Sequence, residues 1–181
     1  MPTKESIQGI EKAKSIVATP VAVPDFFNSS LGIKITADEV VKEVIAYMKA
    51  DPTRHYKVTI GTDSELLNTK YADFVTAIVV HRVGNGGRYF WRRFELGKFH
   101  TLRDRIIREV LISLDVAKDV LTELKKSDLP DFDFEIHADI GANGPTNAVI
   151  QEVMGMIRAH NFEGKMKPES YAASNVADRH V

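Results

Sequence analysis

The chain contains no cysteine, which excludes disulfides and thiolate metal sites. Any metal must be held by carboxylates, histidines, carbonyls or water. No apolar run reaches the roughly 18 residues that a bilayer span requires. The opening Met1-Pro2-Thr3-Lys4-Glu5 lacks the apolar core of a secretory signal. The expectation is therefore a cytoplasmic protein without a membrane partner. Charge of one sign is also missing: the formal net charge is -1 over 181 residues. That argues against a polybasic tail and leaves only local basic patches to attract nucleic acid. Neither an internal repeat nor a low-complexity block is present. What remains is 44% hydrophobic and 27% charged, the composition of one globular domain with a real core.

Residues 1–35 read as a partly irregular extension. Ile7, Ile10, Ala13 and Val17 have helical spacing, Pro20 and Pro24 break it, and Asn28-Ser29-Ser30-Leu31-Gly32 reads as a loop. Residues 36–181 read as a single domain. Thr36 and Glu39 form a T-x-x-E capping box before the apolar stripe Val40, Val41, Val44, Ile45 and Met48, predicting a helix over 37–50. Three strands are expected at 56–62, 72–83 and 88–96, the last two joined by the turn Asn85-Gly86-Gly87. A helix over 101–126, a strand over 132–140, a helix over 146–160, a strand over 163–167 and a helix over 170–180 follow. The order β-β-β-α-β-α-β-α predicts an α/β domain with a five-stranded mixed sheet covered by helices.

Four acids stand at chemically interesting stations. Asp139 ends the fourth strand before the loop Gly141-Ala142-Asn143-Gly144, where a rigid strand meets an open loop. The competing reading is an ordinary end-of-strand aspartate. Glu109 is the one acid well inside the apolar arc of its helix, beside Ser113. A carboxylate facing the sheet costs several kcal/mol unless it is paired or binds metal. Its competing reading is a buried ion pair with Arg105. Asp63 follows the first strand in Gly61-Thr62-Asp63-Ser64, where it could simply form a turn. Asp178 follows the small residues Ala172-Ala173-Ser174, which would let the last helix approach the sheet. Alone it reads equally as a surface acid near the chain end. Together, Asp63, Glu109, Asp139 and Asp178 can converge on one edge of the sheet. So many carboxylates could not all ionise without a cation. Two divalent ions, Mg²⁺ or Mn²⁺, would resolve the conflict and suit phosphodiester chemistry.

Several residues are candidates for substrate contacts: Ser64, Arg88, Trp91, Arg105, Asn143, Thr146 and Lys167. Arg88-Tyr89-Phe90-Trp91-Arg92-Arg93-Phe94 interleaves bases and aromatics, as in strands that stack nucleobases and touch phosphates. It reads as well as an edge strand with Trp91 and Phe90 on opposite faces. The loop to Thr146 could present a helix N-terminus to phosphate, or Thr146 could be a plain N-cap. Lys165 and Lys167 could meet phosphate or merely solubilise a strand. His137 and His180 lie near the acids and could move protons near neutral pH, although a polar or terminal histidine is the plainer reading.

The composite of Gly61-Thr62-Asp63-Ser64, Arg105 to Glu109, Asp139-Ile140-Gly141 and Ala177-Asp178, with Asn28 to Gly32, His81-Arg82, Gly86 to Phe90 and Lys167-Pro168, resembles the ribonuclease H-like superfamily. Within it, the chain is similar to a small bacterial family of uncharacterised ribonuclease H-like proteins, once known only as a domain of unknown function. The resemblance runs over about 28–181. It implies that Asp63 bridges both ions, that Glu109 is the acid of the first core helix, that Asp139 is the fourth-strand acid, and that Asp178 is the acid of the last helix. In the superfamily that helix often runs further, whereas this sequence stops at Val181. The implied activity is a metal-dependent nuclease acting on RNA, RNA–DNA hybrid or DNA. The alternatives are a non-catalytic module that binds nucleic acid or protein on the same fold, and a structure-selective DNA resolvase, which would require a dimer.

Overall fold

The computed structural model describes residues 23–69 and 71–181, with backbone alone at Ala173. The helix expected around Ile7 to Val17 lies outside the described residues. The first helix, α1, runs Ala37–Lys49 and begins where the capping box places it. The Thr36 N–H donates to Glu39 Oε2 (2.7 Å) and the Glu39 N–H returns a bond to Thr36 Oγ1 (3.3 Å), so two of the helix's orphan donors are satisfied. Its stripe of Val40, Val41, Val44 and Met48 is buried.

Three long antiparallel strands follow: β3 (Tyr56–Leu66), β4 (Tyr71–Arg82) and β5 (Gly87–Gly97). They come after two short strands, β1 (Phe26–Ser29) and β2 (Lys34–Thr36). The turn from β4 to β5 needs left-handed backbone, and Gly84 and Gly86 provide it at φ 77 and 74. Residues from Ala72 to Val80 are all buried, as expected of a strand covered on both faces. The long helix α2 (Leu102–Leu124) leads to β6 (Phe132–Ala138), a 3₁₀ turn (Asn147–Val149), α3 (Ile150–Ala159) and β7 (Glu163–Lys165). The chain ends in a π-helical turn (Ala172–Ala177) and a 3₁₀ turn (Asp178–His180).

The sheet has seven strands in the order β2-β1-β5-β4-β3-β6-β7. β6 and β7 are the parallel members, and β6 pairs with β3. The mixed α/β architecture agrees with the sequence reading, but the five-stranded count does not. β1 and β2 are only 4 and 3 residues long, too short for a period-2 pattern to stand out, and Gly32 (φ 76) turns the chain between them. Because β1 pairs with β5, the basic-aromatic strand is internal rather than an edge. One face of the sheet buries Val58, Ile60, Ile78 and Ile136 against α1, α2 and α3. The other face carries Val75 and Ala77, which pack against Ala177 of the terminal turns. Among the described residues, no helix is long and apolar enough to cross a membrane.

The capping box gives a direct check. Thr36→Ala is expected to lower stability by about 1 kcal/mol, read as a reduced urea midpoint at unchanged m-value.

Candidate functional site

Strand lengths create the site. β3 stays paired with β4 as far as Leu66 opposite Ala72, but its pairing with β6 stops at Thr62 opposite Ala138. Beyond that point the sheet opens, and Asp63 borders the gap on one side while Asp139, directly after β6, borders it on the other. The first turns of α2 bring Arg105 and Glu109 to the same place.

Alternation along β3 sends its side chains to two faces. Thr62 and Ser64 point toward α2. The Ser113 hydroxyl donates to Thr62 Oγ1 (2.9 Å), and the Ser64 hydroxyl donates to Glu109 Oε1 (2.5 Å). Asp63 therefore points to the face that holds the terminal turns. Arg105 donates to the Ser64 carbonyl and, at 3.1 Å, to its hydroxyl. The direct ion pair of Glu109 with Arg105 is not formed, and Arg105 acts on Glu109 through space.

The acids sense one another across the gap. Burial pushes Asp63 up to about 6, with Asp139 and then Asp178 adding to the rise and the Ser64 N–H and Arg105 opposing it. Burial pushes Glu109, only 5% exposed, up to about 8. The Ser64 hydroxyl and Arg105 oppose that rise, while Asp63 and Asp139 add to it. Asp139 Oδ2 lies 3.0 Å from Lys167 Nζ, and its Oδ1 is buried without a partner. Asp178 is exposed on the last turn. Thus the four acids share one electrostatic neighbourhood and approach it from both faces. Among the described residues, however, no three acidic or histidine side chains are already arranged to grip one ion.

A family model described as Ribonuclease H-like matches residues 39–181, from α1 through the last turn. The chain belongs to the ribonuclease H-like family. It is also 33% identical over 165 residues to "Uncharacterized protein YkuK" of Bacillus subtilis (strain 168), a match that spans 85% of this chain and 95% of that protein.

Other expected contacts of this ribonuclease H-like chain fall in different places. Arg88 pairs with Glu43 at 2.8 Å. Its strand partner is Val80, whereas that of Asp63 is Val75. Five residues along a strand put Arg88 about 17 Å from the level of Asp63. One face of Trp91 is covered by the His180 ring. Asn143 is exposed in its loop. Thr146 makes no side-chain cap; its Oγ1 accepts from the Gly141 N–H instead (3.1 Å), and the following helix starts with a 3₁₀ turn. Lys165 pairs with Glu163 at 2.8 Å.

His137 is 1% exposed. Its Nδ1 accepts from the Ala172 N–H (3.1 Å), so the proton sits on Nε2, which donates to Glu135 Oε2 (3.1 Å). Burial holds the imidazole below its ordinary pKa, against the pull of Glu135. Burial alone would raise Glu135, but bonds from His137 and Lys57 outweigh it and hold the carboxyl below the usual range. His137 thus ties the terminal turns to β6. The sequence suggested His137 only as a proton carrier or a plain polar histidine, and this chain of bonds was not foreseen. The N–H that His137 accepts from is more than thirty residues away in sequence, at Ala172.

A pH profile checks these charges. Folded Asp63 and Glu109 keep their protons to higher pH than their unfolded forms, near pH 4. The stability they confer is complete below that value and is lost as pH rises through about 6 and then about 8. In chelator the melting temperature is expected to fall by several degrees from pH 5 to pH 8. Asp63→Asn should flatten the first part of that fall and Glu109→Gln the second.

Proposed function

We propose that this ribonuclease H-like protein is a divalent-metal-dependent nuclease that hydrolyses phosphodiester bonds in RNA, RNA–DNA hybrid or DNA. The observation that carries this reading is Asp139 Oδ1, a buried oxygen without a partner, on a carboxyl group that adds to the rise in pKa of both Asp63 and Glu109. Lys167 and Arg105 bring two positive charges to four carboxyl groups, and the remaining hard oxygen donors suit Mg²⁺ or Mn²⁺.

Asp63, Glu109, Asp139 and Asp178 would hold the metal. Two bound cations supply charge for activating water and for steadying the leaving oxygen in an in-line displacement. Ser64 orients Glu109 through its hydroxyl. Arg105 offsets part of the negative charge on both Asp63 and Glu109. Lys167, whose side chain is 53% exposed, can leave Asp139 for a substrate phosphate when the carboxylate is otherwise neutralised. A cytoplasmic setting belongs to the same reading, because the substrate is found there.

One observation favours a non-catalytic nucleic-acid-binding module. The Lys167–Asp139 pair already neutralises one acid, and no three ligands are arranged for an ion. Turnover separates the two readings. Wild-type protein should cleave at least one of a panel of RNA, hybrid and DNA substrates with Mg²⁺ or Mn²⁺. Asp63→Asn should cut that rate about 100-fold or more. Salt-dependent binding without metal-dependent cleavage would favour the binding module instead.

A further inference from the structure

We propose that Trp91 and Arg93 clasp the last turn of the chain and thereby set where Asp178 stands, a positioning role that rests on the metal-site reading of the acids. The terminal turns wind as π and then 3₁₀ rather than α, so their own hydrogen bonding restrains them weakly. Turns of this kind open easily unless something holds them. Here the restraint comes from the sheet. The His180 imidazole stacks on the Trp91 indole with centroids 4.0 Å apart and planes 6° from parallel. Arg93 Nη1 donates to the His180 carbonyl at 3.1 Å. The same guanidinium is braced by Asp73, whose side chain is only 3% exposed. Val176 and Val181 pack around this contact, and Ala177 is buried on Val75 and Ala77.

Register explains why a clasp at this spot matters. Asp63 pairs with Val75, and Val75 with Arg93. Gly61, Ala77 and Trp91 form the row two residues away. The side chains of Asp63, Val75, Arg93, Ala77 and Trp91 project to the same face, and Arg93 lies two strand spacings, about 10 Å, from Asp63. Asp178 and His180 belong to one 3₁₀ turn, so fixing His180 over Trp91 holds the backbone of Asp178 over the same face of the sheet as Asp63. Ala177, the residue before Asp178, is buried on Val75, the strand partner of Asp63, which agrees with that placement. The stack also covers the ring face that would otherwise be open to a nucleobase.

Trp91 is the sole tryptophan, so its emission reports the stack directly. Three measurements on the full chain test the proposal: amide hydrogen exchange over residues 172–180, Trp91 emission, and Mn²⁺ affinity from the signal of free Mn²⁺. Trp91→Ala should cut protection over the terminal turns about tenfold and weaken Mn²⁺ binding about tenfold, in the range seen when a ligand's supporting contact is lost. Trp91→Phe keeps an aromatic face and should hold both within about threefold of wild type. His180→Ala should shift the emission without metal present. Unchanged protection in Trp91→Ala, or unchanged emission in His180→Ala, overturns the clasp. Lost protection with unaltered Mn²⁺ affinity overturns its positioning role. Wild-type protein that binds Mn²⁺ no better than Asp63→Asn sinks the metal reading and the positioning role with it, while exchange and emission still decide whether the clasp exists.

Discussion

Like charges brought together where a sheet comes apart are the constraint on which the rest of this structure depends. β6 stops at Ala138 while β3 continues to Leu66, and the resulting gap admits side chains from both faces. Asp63 and Asp139 border it, Ser64 ties Glu109 of α2 beside it, and Asp178, exposed on the terminal turns, acts on Asp63 through space. Asp63 and Glu109 lose hydration and gain negative neighbours, which is why they hold their protons above the ordinary range. Such a group is costly for folding and useful for binding a cation, and the apolar core across α1, α2 and α3 offsets its cost.

The two faces manage the charge differently. On the helical face, Ser113, Thr62 and Thr76 form a short polar ladder through an otherwise apolar contact, and Ser64 bonds separately to Glu109. On the other face the cover is thin, a π turn and a 3₁₀ turn. It is held at its beginning by His137 and at its end by Trp91 and Arg93. Both anchors are polar or aromatic contacts rather than a broad apolar interface, so the position of Asp178 depends on a few side chains.

Much of the fold was legible because local signals and tertiary packing agree. The capping box placed α1 over 37–50, and it is found at Ala37–Lys49. The long periodic stripe placed α2 over 101–126, and it is found at Leu102–Leu124. The failures have local causes. β1 and β2 carry too few residues for a period, and Thr146 spends its hydroxyl on Gly141 rather than on a helix end. At the site, the odd acid in an apolar helical arc pointed to Glu109, because burial of a charge leaves a mark in the sequence pattern. The Lys167–Asp139 pair and the His180–Trp91 stack left no such mark: they join residues on different elements, and only the assembled sheet brings them together.

The central claim is that the gap between β3 and β6 is built for a cation. Crystals soaked in Mn²⁺ and measured by anomalous scattering test it most directly. The account predicts a peak in contact with both Asp63 and Asp139, with Lys167 displaced from the Asp139 carboxylate. Saturating Mn²⁺ that leaves no peak at the gap, and Lys167 still seated on Asp139, would contradict it.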